Sequence, residues 1–175
     1  MNSKMLYLIK NKIGRHLKNK DILDIVIFGS AVKGKSLPKD IDIAIISETG
    51  AHIEVLGTHV SILKPVDFFK NPPSLVHTLL REGYSLRNNK YLSETYKFLN
   101  KTLFVYNLAG LTATTKVKVV NALRGKNSDK GLVKESNGEW LAKQVFIVPV
   151  GVDYIIEQFF LNFKVKYKKH FILIH

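Results

Sequence analysis

"VIFGSAVKGKSLPKDIDIAII", residues 26–46, can be read as either of two phosphate-handling motifs. Gly29 to Ser36 fits the pattern G-x-x-x-x-G-K-[ST], in which loop amides cradle phosphates and Lys35 and Ser36 serve phosphate and magnesium. That chemistry needs a strand before the loop and a long helix after it. The strand is there, since I-L-D-I-V-I-F at 22–28 is β-branched, apolar and ended by Gly29. The helix is not, because Pro38 biases its predecessor away from helix and a strand pattern begins at Asp40. The second reading needs a strand, Gly29-Ser30, a short turn, and a strand carrying Asp40 and Asp42. All of these are present.

Side chains at i and i+2 of a strand share a face, so Asp40 and Asp42 present paired carboxylates beside Gly29. Oxygen ligands of this kind suit Mg²⁺, which binds through one or two carboxylates plus substrate phosphates. Gly29 lets backbone approach a phosphate, and Ser30 adds a hydroxyl and an amide. Aspartate is disfavoured in strands, so two of them ahead of the apolar run 43–46 call for a reason. The plainer reading is a solvated strand edge.

The chain has 175 residues, 46% of them hydrophobic, enough for one domain or one domain with a modest extension. It contains no cysteine, which excludes disulfides and thiolate metal sites. The apolar run in MNSKMLYLIK is too short for a signal peptide, and no stretch reaches the length of a membrane span. A soluble cytoplasmic protein without a membrane partner is expected. Lys and Arg number 27 against 14 Asp and Glu, a net charge of +13, and polyanions are natural partners of such a surface. Lysine far outnumbers arginine, which also fits plain solubilisation.

Outward from the motif, residues 4–19 have the spacing of an amphipathic helix ending near Lys20. Ile53–Leu56 and Val60–Leu63 flank Gly57-Thr58 and read as a hairpin. Pro72-Pro73-Ser74 opens a helix that Gly83 is placed to end. Residues 91–106 read as partly helical, and a boundary falls near residue 110. Thr112 or Thr114 caps a helix through Leu123, and R-G-K-N-S-D-K-G at 124–131 is a basic loop. Val145–Val148 is a strand, Asp153–Asn162 a helix, and Val165–Ile174 a last strand with alternating lysines.

G-S-x9-D-I-D between apolar strands resembles the signature of the nucleotidyltransferase superfamily of DNA polymerase beta, in its minimal form. The stretch 67–86, D-F-F-K-N-P-P-S-L-V-H-T-L-L-R-E-G-Y-S-L, is also similar to the segment after the third strand in those proteins. The resemblance covers about residues 20–87. It implies an α/β fold with a small mixed sheet flanked by helices, here placed in residues 1–110; residues 111–175 read by their own pattern as a C-terminal α/β extension. It also implies two Mg²⁺ ions on three carboxylates, a nucleoside triphosphate such as ATP, and attack of an acceptor hydroxyl with loss of pyrophosphate. Asp40 and Asp42 match the first two carboxylates, and Gly29 and Ser30 the triphosphate contacts.

The third carboxylate departs from the pattern. An ungapped alignment puts Lys64 there, and the nearest acid is Asp67. We take Asp67 as the third catalytic and metal-binding acid. If it is absent, a non-catalytic nucleotide- or nucleic-acid-binding protein of the same fold remains, and a P-loop NTPase is the weakest alternative. Lys33 and Lys39, with Lys35, lie in the loop facing the triphosphate, where solvated surface and phosphate steering are equally good readings. His59 and His77 read as surface histidines and Trp140 as core. RNA, DNA or a separate helical protein are the candidate macromolecular partners.

Overall fold

The computed structural model describes residues 3–33, 40–51, 53–54, 57–126 and 129–175. It is an α/β protein with two separate sheets, and the chain divides into two compact units at Leu99/Asn100. The division lies upstream of residue 110 because the run 99–107 belongs to the second sheet. T-L-F-V-Y has too many β-branched and aromatic residues to extend a helix.

The first unit opens with α1 (Ser3–Ile13). Gly14 ends it, and a 3-10 stretch over Gly14–Lys18 replaces the last turn expected of a helix to Lys20. Then come β1 (Ile22–Phe28), a 3-10 turn over Gly29–Ala31, β2 (Ile41–Ser47) and β3 (Thr58–Leu63). A 3-10 turn at Pro65–Phe68 leads to α2 (Ser74–Glu82), β4 (Tyr84–Ser85), β5 (Lys90–Tyr91) and the short helix α3 (Leu92–Thr95).

The sheet order is β3-β2-β1-β4-β5. β1 is antiparallel to β2 and β4, while β2 and β3 are parallel. Of the expected hairpin, Val60–Leu63 falls in β3, Ile53 and Glu54 are not in a strand, and residues 55–56 lie outside the described residues. Residues 48–57 supply the long connection that a parallel pair requires, and Ile53 is spent in the core instead.

Both faces of β1 and β2 are covered, which is why their sequences are nearly continuous apolar runs. Ile25, Ile27, Ile43 and Ile45 pack with Ile9 and Ile13 of α1. Val26, Ala44 and Ile46 pack with Val76 and Leu79 of α2.

One carboxylate interrupts β1. Asp24 is buried and accepts hydrogen bonds from the Ser85 hydroxyl and from the Ile25 and Arg87 amides. The Arg87 guanidinium in turn donates to the carbonyls of Leu17, Ile22 and Leu23. Burial pushes the Asp24 carboxyl above its ordinary value, against the opposing pull of those hydrogen bonds. An acid whose folded value is raised holds its proton more tightly folded than unfolded, so its contribution to stability grows as pH falls and is lost as pH rises through the folded value. Wild type should therefore gain stability relative to Asp24→Asn on going from about pH 7 to about pH 4. Urea midpoints of the two proteins across that range check it, and a constant difference would remove Asp24 as the cause.

The second unit runs β6 (Leu99–Asn107), α4 (Ala113–Arg124), α5 (Leu132–Glu135), β7 (Glu139–Ala142), β8 (Val145–Pro149), α6 (Asp153–Asn162) and β9 (Lys166–Ile174). Its sheet order is β7-β8-β6-β9. Thr112 caps α4 by accepting from the Thr115 amide. Phe104, Tyr106, Phe146 and Phe160 form an aromatic core closed by Val119, Leu123 and Ile156. Trp140 joins its edge, with the Arg124 guanidinium 3.8 Å above the indole. Among the described residues no helix is long and apolar enough to cross a membrane.

Candidate nucleotide and metal site

The turn after β1 is forced by glycine. Gly29 has φ +71, the left-handed region that residues with a Cβ avoid. A Cβ on Gly29 would also lie 2.5 Å from Asp42 Oδ2. The backbone register explains that approach, since Phe28 pairs with Asp42 across the antiparallel β1–β2 ladder. The Asp42 carboxylate thus stands directly against the turn Gly29–Ala31, which carries the half-buried Ser30. Asp40 is exposed in the bend just before β2, two residues from Asp42. The structure brings Gly29, Ser30, Asp40 and Asp42 to one end of the sheet.

Asp67 is elsewhere. β2 and β3 are parallel with Asp42 opposite His59, and the chain leaves β3 at Leu63, opposite Ile46. At about 3.3 Å per residue, the five steps from His59 to Lys64 cover about 17 Å. Asp67 lies past that far end and closes the local 3-10 turn, with its Oδ2 accepting from the Lys64 amide at 2.8 Å. Asp67 is a turn residue, and in the strand pairing neither it nor Lys64 stands opposite Asp42. The neighbour of Asp42 on β3 is His59, whose Nδ1 stands 3.5 Å from Asp42 Oδ1. His59 is 73% exposed, and His77 is exposed on α2. The strand pairing that sets His59 beside Asp42 is parallel and joins residues distant in sequence.

Lys33 is engaged in an ion pair. Its Nζ is 3.1 Å from Glu82 Oε2 at the end of α2, and Glu82 is 2% exposed. Arg81 shares the same oxygen at 3.2 Å. The pair ties the end of the Gly29 turn to α2, so Lys33 positions the turn. Lys33→Ala leaves Glu82 buried with one cation fewer. It should cost about 1.5–3 kcal/mol, the range for a hydrogen bond to a charged group. Chemical denaturation checks this, and an unchanged midpoint would make the pair a passive surface contact. Lys35, Ser36, Pro38 and Lys39 lie outside the described residues. β2 nevertheless begins at Ile41, which leaves no room for the long helix a P-loop requires.

Two carboxylates at one strand end, beside a turn that admits close backbone approach, fit one divalent cation with a phosphate completing its shell. The acid expected to complete a three-carboxylate, two-ion arrangement, Asp67, is a turn cap. Comparisons with protein-family models, with curated proteins and with solved structures each find no match. The functional reading therefore rests on the geometry of this chain.

Proposed function

We propose that residues 1–99 form a nucleotidyltransferase-type core that binds a nucleoside triphosphate as its complex with one divalent cation. The observation that carries this reading is the contact between Gly29 and Asp42. A glycine with positive φ and a carboxylate pressed against it place a phosphate-approachable backbone next to a hard oxygen ligand. Asp40 and Asp42 would hold the ion, which supplies charge neutralisation for the triphosphate. Ser30 donates its hydroxyl to a phosphate oxygen, and Lys33 keeps the turn in place through Glu82.

A second reading is transfer of the nucleotidyl group to an acceptor hydroxyl with release of pyrophosphate. It is favoured by the retention of both acids ahead of a strand whose remaining residues, 43–47, are buried. Against it stands the displacement of Asp67.

Calorimetry with ATP and Mg²⁺, paired with a pyrophosphate-release assay, separates the two. Binding that is lost in EDTA, without pyrophosphate, supports the first reading. Pyrophosphate release that is lost in Asp42→Asn supports the second. No binding by the wild type overturns both.

A further inference from the structure

The basic stretch K-V-K-Y-K-K at 164–169 is not one uniform patch. Strand alternation in β9 divides it. Tyr167 and Lys169 point toward α6, where the Tyr167 hydroxyl is 3.4 Å from Glu157 and Lys169 Nζ is 2.7 Å from Asp153 Oδ2 and 3.0 Å from Glu157 Oε2. Asp153 is buried and also accepts from the Thr102 hydroxyl. The charge of Lys169 is consumed inside the unit. Lys166 and Lys168 point the other way and are exposed, and among the described residues neither has an ion-pair partner.

These two lysines border a cleft of about 230 Å³ lined by Val105, Tyr106, Asn107, Lys166, Tyr167 and Lys168. Its walls are two neighbouring strands, β6 and β9. Val105 is 37% exposed there. The Asn107 side-chain oxygen is taken by the Ala109 amide, which leaves its NH₂ as a free-facing donor. Lys101 lies on the same face of β6 as Val105 and Asn107. Lys166 and Lys168, at i and i+2, stand about 6.6–6.8 Å apart along the strand, a spacing comparable with that of successive phosphates in an extended polynucleotide.

We infer that this cleft and its lysines bind single-stranded nucleic acid. A base lies against Val105 on the open face of the sheet, the Asn107 amide donates to its edge, and Lys166 and Lys168 take consecutive phosphates. A duplex offers no unstacked base to such a cleft, whereas a single strand does. The site belongs to the second unit and stands independently of the triphosphate reading.

The test uses the full chain without ATP or Mg²⁺, titrated with fluorescent oligo(dT) and oligo(U) at several salt concentrations. Each phosphate neutralised on a single strand contributes about 0.7 to the log–log salt slope. Lys166→Ala with Lys168→Ala should lower that slope by about 1.4 and weaken binding at low salt. Lys169→Met should lower the melting temperature and leave the slope unchanged. Tighter binding of oligo(U) would mark the 2′-hydroxyl as read, and equal binding would mark backbone and base alone. The inference is overturned if the wild type does not bind at low salt, or if the double variant keeps the wild-type slope. It is also overturned if duplex DNA or phosphatidylserine vesicles bind as tightly and lose binding equally in the double variant. Melting curves of the double variant check that these surface changes leave the fold in place.

Discussion

Asp40→Asn combined with Asp42→Asn is expected to abolish Mg²⁺-dependent ATP binding while leaving the fold intact. Each carboxylate is a charge-bearing ligand at the open end of β2, and losing one charged hydrogen-bonding or coordinating partner costs about 1.5–3 kcal/mol. Two together come to about 3–6 kcal/mol, or roughly a hundredfold to ten-thousandfold in affinity. Asp40 is exposed and Asp42 is 33% exposed, so neither amide substitution empties the core. The melting temperature should move little. Asp67→Asn serves as the contrast. Its carboxylate caps the turn at Lys64, so it should lose some local stability and no nucleotide affinity. Calorimetry on the three proteins checks both statements. Equal ATP affinity in wild type and the double variant would mean the site is misplaced. Loss of ATP binding in Asp67→Asn would mean that β3 and the turn after it do not sit as described.

The contrast between Asp42 and Asp67 also shows where the sequence stopped being informative. Elements decided by local chemistry were legible. β1 is a run of β-branched residues ended by a glycine, α2 lies between Pro73 and Gly83, and α6 at Asp153–Asn162 follows its apolar spacing. The turn at Gly29 could be read because a glycine's need for positive φ is a local property.

What failed depended on which strands pair. That 58–63 runs parallel to β2 is set by the core that Ile53 and Leu63 join, not by Gly57-Thr58. That pairing decides whether His59 or a later residue stands next to Asp42. The boundary at Leu99 was hidden for the same reason, since β6 is defined by its partners β8 and β9. The ion pair of Lys33 is not legible either, because its partner Glu82, 2% exposed at the end of α2, is distant in sequence. Asp24 gave a signal that went unused. An acid in the middle of a wholly apolar strand has to find donors, and it finds them on Ser85 and Arg87.

Gly29→Ala links backbone to chemistry and is expected to damage both. At φ +71 a Cβ costs about 1–2 kcal/mol through its clash with the following carbonyl. The added methyl also meets Asp42 Oδ2 at 2.5 Å. That oxygen is the far end of a side chain able to rotate, so the carboxylate yields before the backbone does. The yielding moves Asp42 off the turn and away from the position where it shares an ion with a phosphate. Affinity for ATP·Mg²⁺ should therefore fall as far as in Asp42→Asn alone, tenfold or more for about 1.5–3 kcal/mol. The fold loses only about the strain energy of one left-handed residue. Asp42→Asn and Gly29→Ala should then be non-additive in ATP binding and additive in denaturant midpoint, because they share the carboxylate in one measurement and act separately in the other. A double-mutant cycle by calorimetry and urea unfolding decides it. Full additivity in ATP binding would show that Gly29 contacts the nucleotide through its backbone alone and does not act by fixing Asp42.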